Sequence, residues 1–142
     1  GALSPLQVLA SPLRRTRETA APLANRWGSE VVVAPALGEI RIPDRLADRA
    51  DRIALLAGSR WADVDVVVRQ WRDALVDCLR AQTEDSVVAT HFFAINAVVS
   101  YASRDDRLVV FSPDHCSRTV IEVDGDTLRL VQRGAEASTP IA

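Results

Sequence analysis

The 142-residue sequence has no methionine and no lysine. Without methionine, Gly1 is not a translational start, so an intact gene product is not expected, although removal of the initiator alone would also leave no methionine. Without lysine, all 17 cations are arginines, set against 19 carboxylates for a formal net charge of -2. Arginine offers a planar fork of donors that matches carboxylate and phosphate. A pI of about 5.7 and no arginine run along one face exclude a nucleic-acid coat. Cysteine and histidine are scarce, 2 of each, and Cys78 and Cys116 lie far apart. No zinc spacing can be assembled from them, so no metal and no cofactor is expected. Reduced thiols in a cytoplasmic protein are the natural reading. No apolar run approaches the ~20 residues of a membrane span; the longest, Phe92 to Val99, is interrupted by Asn96. No basic stretch followed by an apolar core marks a signal peptide. Gly-rich P-loop and GxGxxG patterns are absent too, which weighs against a generic nucleotide-binding domain.

What is present suits one soluble globular domain over residues 1–142, with 48% apolar and 25% charged residues. Leu6 to Ala10 reads as a buried strand. Ser11-Pro12 then reads as a helix start, with Ser11 the N-cap and Pro12 the first helical residue. That helix is expected to run to about Trp27 and to stop at Gly28. Val31 to Val33 is a second buried strand, and Pro35 to Pro43 a loop holding Glu39. Asp44 to Leu56 reads as an arginine-rich helix outside the main core. Ala62 to Gln82 has the strongest helical periodicity, carried by Val64, Val67, Val68, Trp71, Leu75, Cys78 and Leu79. Ser86 to Thr90 is a buried strand, and Phe92 to Tyr101 an apolar helix. Leu108 to Phe111 is a strand. Thr119 to Val123 and Thr127 to Val131 form a hairpin turning at Asp124-Gly125, and a loop follows from Arg133. Strands alternating with helices predict an α/β fold with a mostly parallel sheet ending in the hairpin. In such folds ligands bind beyond the carboxyl ends of the strands, which here selects Ser11 onward and His91.

Three arginines, Arg14, Arg15 and Arg17, fall in the first turns of the predicted helix. The helix dipole disfavours cations there by roughly 0.3–1 kcal/mol each. The arrangement makes sense if a phosphate completes the cluster; surface arginines paired with Glu18 are the plain alternative. His91 closes a strand at the crevice, where imidazole can donate to a phosphoryl oxygen or exchange protons; a packed core histidine is the alternative. Glu39 lies among Ala36, Leu37, Gly38 and Ile40. Apolar neighbours favour a protonated carboxyl and suit a general acid; a solvated loop carboxylate is the alternative. His115, between Asp114 and Cys116, reads as a loop residue.

These segments together resemble the histidine phosphatase superfamily, also called phosphoglycerate-mutase-like. Ser11 to Ala20, SPLRRTRETA, is similar to the family's SPLxRAxxTA segment; ALGEI, Ala36 to Ile40, to its LxEI; and VVATH, Val87 to His91, to the strand bearing its second active-site histidine. The tail around Ser117, Thr119 and the Asp124-Gly125 turn resembles its last hairpin. The resemblance implies a three-layer αβα sandwich. It implies Arg15 and His91 as phosphate ligands and Glu39 as proton donor, so Glu39 and His91 are the implied catalytic residues. It implies phosphoryl transfer or hydrolysis through a phosphohistidine, without metal, on a phosphorylated small molecule. Residues 41–61 are an expected cap over the pocket. Mutase and phosphatase stay open, as does a shared role for Arg14. Two departures stand out. Phe92 follows His91 where the family has glycine, and the family's first strand with its Arg-His-Gly nucleophile is absent from the sequence. The resemblance makes that strand central. A chain without it is expected to be inactive, to expose sheet edges, and to aggregate or borrow a strand from another copy, as in a homodimer. A non-catalytic phosphate-binding or scaffolding relative is the alternative.

Overall fold

A computed structural model describes residues 5–40 and 54–137 of the chain. Three short apolar runs form a parallel sheet: β1 (Gln7–Ala10), β2 (Val32–Val33) and β3 (Ser86–Ala89), in the order β2-β1-β3. Leu9 and Ala10 pair with Val32 and Val33, and β1 pairs along its whole length with β3, Ala10 opposite Ala89. Alternation along β1 separates two apolar layers. Val8 and Ala10 pack with Ala20 and Ala24 of helix α1 (Arg14–Arg26). Leu9 points the other way, into a core holding Trp71 and Leu75 of α2 (Val66–Arg80) and Phe93, Ala94 and Ala97 of α3 (Phe92–Ser103). The result is the expected α/β arrangement, with helices on both faces of a parallel sheet. The strands β4 (Val120–Asp124) and β5 (Thr127–Gln132) form a separate antiparallel pair. Leu128 and Ile121 join that pair to the second core.

Several elements differ from the sequence reading, each for a local reason. The strand at Val31–Val33 is not buried: Val32 and Val33 are 46% and 45% exposed. Among the described residues β2 has a strand partner on one side only. β3 is likewise half-buried rather than buried, because among the described residues it too has a strand partner on one side only. Leu108 to Phe111 is no strand. The N–H groups of Val110 and Phe111, which a strand would offer a neighbour, donate instead to Oδ1 of the buried Asn96 at 2.8 and 3.1 Å. The long helix starts at Val66 rather than Ala62, because Asp65 caps it by accepting from the Val67 N–H at 2.9 Å. Trp61–Asp63 is a separate 3-10 turn. The hairpin loop is Gly125-Asp126, with Asp124 paired to Thr127, and Gly125 takes φ +58 there. The tail is not all loop: Glu136 bridges back to Pro113.

The stop at Gly28 is as expected. With φ +66, Gly28 lets its own N–H reach Asn25 O at 3.1 Å and the Ser29 N–H reach Ala24 O at 2.9 Å, satisfying two terminal carbonyls. The helix predicted over 44–56 and the cap over 41–61 fall mostly outside the described residues. Residues 54–57 are helical. The segment then returns to the body: Trp61 is buried, its backbone N–H donates to Asp106 O at 2.8 Å, and its indole donates to Ser100 Oγ at 3.0 Å. Among the described residues no helix is long and apolar enough to cross a membrane.

Candidate active site

The pairing of β1 with β3 sets the site, because it carries the two chain segments past the sheet's carboxyl end side by side. The ladder continues one step beyond the strands, where the Ser11 N–H donates to Ala89 O at 3.1 Å. From there one segment turns into α1 and the other, after Thr90, into α3, so both helices start at the same end of the sheet. His91 takes extended backbone as the residue before α3. Contrary to the sequence reading, Ser11 is not the cap of α1: Leu13 is, and the helix begins at Arg14. Ser11 is fully buried, and its hydroxyl meets His91 Nε2 at 2.8 Å, Thr16 Oγ1 at 2.6 Å and the Leu13 N–H at 3.2 Å.

The three residues singled out by sequence meet here. Arg15 Nη2 lies 3.3 Å from His91 Nδ1 and 3.4 Å from Glu39 Oε2. Glu39 is delivered by two anchors on the preceding carbonyls. Thr90 Oγ1 donates to Leu37 O at 2.8 Å, and the Trp71 indole donates to Gly38 O at 3.2 Å. Glu39 therefore shares its place with a guanidinium and is not in a purely apolar pocket. Burial holds the His91 imidazole below its ordinary pKa, the Arg15 charge adds to that, and the Glu39 carboxylate works against both. Arg15 and Glu39 are the partly exposed members, so the cluster opens to solvent on their side.

Other candidates stay apart. Arg14 is 86% exposed and bonds Glu18 one turn along at 2.6 Å, matching the plain surface alternative. His115 sits in an exposed turn, its backbone N–H donating to Asp114 Oδ1 at 2.8 Å, with no hydrogen bond to Arg15, Glu39 or His91. Sequence reasoning placed a ligand site from Ser11 onward but read Ser11 itself as a helix cap, and it missed Thr16. The available signal is that Ser11 follows β1 directly, level with the residue before His91 in the β3 segment. Its residue type, equally suited to a helix cap, masks that signal.

The sequence model of the histidine phosphatase superfamily (branch 1) matches residues 2–136. Among solved structures, the chain resembles Bacillus stearothermophilus YhfR at 20% identity and TM-score 0.64, over 92% of this chain and 74% of that one. It resembles a mycobacterial glucosyl-3-phosphoglycerate phosphatase, solved with VO3, at 19% identity and TM-score 0.65, over 94% and 78%. The protein TTHB049 from Thermus thermophilus aligns at 22% identity and TM-score 0.57, over 95% and 76%. At these identities the likeness is one of fold. No curated protein matches the chain.

Proposed function

The chain belongs to branch 1 of the histidine phosphatase superfamily, and from that premise we propose that its Arg15–His91–Glu39 cluster is the phosphate-holding part of a phosphoryl-transfer site. One observation carries the reading: Glu39 and His91, distant in sequence, both come within 3.4 Å of Arg15 Nη2 at the carboxyl end of the sheet. In the intact protein a histidine from outside these 142 residues attacks phosphorus. Its nitrogen lone pair forms the N–P bond as the bond from phosphorus to the alcohol oxygen breaks. Arg15 and His91 neutralise the phosphoryl oxygens. Glu39 gives its proton to the departing alkoxide, then takes one from the water that attacks the phosphohistidine and releases phosphate. An acceptor alcohol in place of water makes the same sequence a transfer. The substrate is a phosphorylated small molecule.

Two features support a nucleophile from elsewhere. The sequence has no Arg-His-Gly, and β3, which leads into His91, has a strand partner on one side only among the described residues. An open, half-buried edge of that kind accepts another strand.

The 142-residue chain is expected to bind inorganic phosphate and to leave p-nitrophenyl phosphate intact. Hydrolysis by this chain that disappears in His91→Ala would overturn the absent nucleophile. Failure to bind phosphate would overturn the site itself. The alternative is a non-catalytic phosphate-binding relative, favoured by the sequence having only His91 and His115. Adding a segment that carries Arg-His-Gly separates the two readings, since only the enzyme gains turnover.

A further inference from the structure

We infer that Thr16 and Ser11 are positioning residues for His91: their hydroxyls form a one-way hydrogen-bond chain that keeps the Nε2 proton inside and turns the bare Nδ1 towards Arg15, so that an unprotonated phosphate oxygen entering between them is held by the ring only once Nδ1 has taken a proton from solvent. This rests on the reading of Arg15 and His91 as phosphate ligands.

Donor counting fixes the direction. Thr16 Oγ1 reaches two carbonyls, Leu13 O at 2.9 Å and Ser11 O at 3.2 Å. Carbonyls only accept, so the single Thr16 hydroxyl proton is committed to them. At 2.6 Å from Ser11 Oγ, Thr16 must then accept, which commits the Ser11 proton to Thr16. Ser11 has no second proton for His91 Nε2 at 2.8 Å, so Nε2–H is the donor. Arg15 Nη2, 3.3 Å from Nδ1, can only donate, and a neutral ring with its proton on Nε2 presents the lone pair it needs. The reverse order would set an Nδ1–H against a guanidinium N–H and take Thr16 off its carbonyls. Ser11 is fully buried and Thr16 nearly so, which shields the chain from competing water.

A phosphoryl oxygen is an acceptor, and it meets a bare Nδ1 as lone pair against lone pair. One proton, taken from solvent, turns the ring into an imidazolium that donates at both nitrogens, to Ser11 Oγ and to phosphate. Among the described residues the charged groups facing the ring are Arg15 from α1, which opposes that proton, and Glu39 after the 3-10 turn Pro35–Leu37, which favours it. Helix α3 carries no charged residue from Phe92 to Ser103. Thr16 stands where the SPLxRAxxTA motif has alanine, so the motif itself does not supply the last link.

The test is ring-nitrogen NMR on the full 142-residue chain with 15N-labelled histidine, His115 serving as the internal reference. The expected ring of His91 is neutral, with a slowly exchanging Nε2–H, and gains a proton at Nδ1 when inorganic phosphate is added at neutral pH. Thr16→Ala frees the Ser11 proton to turn to Nε2. It is expected to give mixed tautomers, fast exchange of the ring proton and a loss of about threefold to tenfold in phosphate affinity. Thr16→Ser is expected to restore all three. Ser11→Ala removes the acceptor itself and should lose the slow proton outright. A folded Thr16→Ala protein with the wild-type ring signature overturns the chain, as does phosphate binding without proton uptake. If phosphate never binds, the reading of the site fails, and the ring signature of the variants still decides for or against the positioning chain.

Discussion

Arg15 and Arg107 are the same residue type in two opposite conditions. Arg107 lies just beyond α3 and closes on Asp105, two residues away. Its Nη2 meets Oδ2 at 2.7 Å, its Nε meets Oδ1 at 3.1 Å, and its backbone N–H reaches the same Oδ1 at 2.9 Å. The guanidinium beside Asp105 pushes that carboxyl down to about 2. Arg15 is held by residues 24 and 76 positions away, at 3.4 and 3.3 Å. A local pair with short bonds commits Nε and Nη2 to one carboxylate and shapes a turn. A long-range set with loose contacts can exist only once the fold is made, and it keeps donors ready for a tighter acceptor such as phosphate.

The sharpest way to break this contrast is to delete each arginine in turn. Arg15→Ala is expected to weaken inorganic phosphate binding about thirtyfold, the loss of one charge-assisted contact worth roughly 2 kcal/mol. Arg107→Ala is expected to leave it unchanged. Isothermal titration at fixed salt reads both, and equal losses would show that the two arginines differ only in place.

A second probe uses pH. The folded His91 binds its proton less readily than the ordinary value of 6.5, because of burial and Arg15. Below about 6.5 the unfolded chain therefore takes up protons that the folded chain refuses. Stability from this residue is complete above that pH and declines as pH falls towards the folded value. The slope of Tm against pH just below 6.5 should flatten in His91→Asn.

The contrast also marks how far the sequence could be read. Arg15, Glu39 and His91 were legible because each stands in a short segment of recognisable order, and because parallel strands send their carboxyl ends to one place. The buried face of α2 was legible from its periodicity through Val68, Trp71 and Leu75. Edge status was not. Val32, Val33 and the β3 valines look like interior strand residues until the strand order β2-β1-β3 leaves them at the margins. Asn96 looks like an interruption in an apolar helix, and only the folded chain shows its amide standing in for a strand partner at Val110 and Phe111. Ser11 has the residue type and the place of a helix cap. Its hydroxyl is used 80 residues away instead.

If loose, long-range anchoring is what distinguishes the site, the anchors should be individually modest. Trp71→Phe removes the indole donor to Gly38 O, at a cost of about 1 kcal/mol. A fall in Tm together with a smaller fall in phosphate affinity is expected, because Glu39 follows Gly38 directly. A Tm change with untouched affinity would separate the loop from the site.

The smallest effect belongs to Arg14, the neighbour that composition cannot tell from Arg15. Its bond to Glu18 at 2.6 Å is shorter than either contact of Arg15. Distance alone would rank it the more important residue. Exposure reverses the ranking: with 86% and 62% of the two side chains in water, the pair is screened and gains little over hydration. The helix dipole lowers its worth further, since Arg14 opens α1 at the positive end. Arg14→Ala is therefore expected to change stability by no more than about 0.5 kcal/mol. Phosphate affinity should stay within about twofold at moderate salt, the residual being long-range attraction that disappears as salt is raised. A salt-independent loss as large as that of Arg15→Ala would mean that Arg14 leaves Glu18 to join the phosphate, and the division between structural and site arginines would then run inside one helical turn.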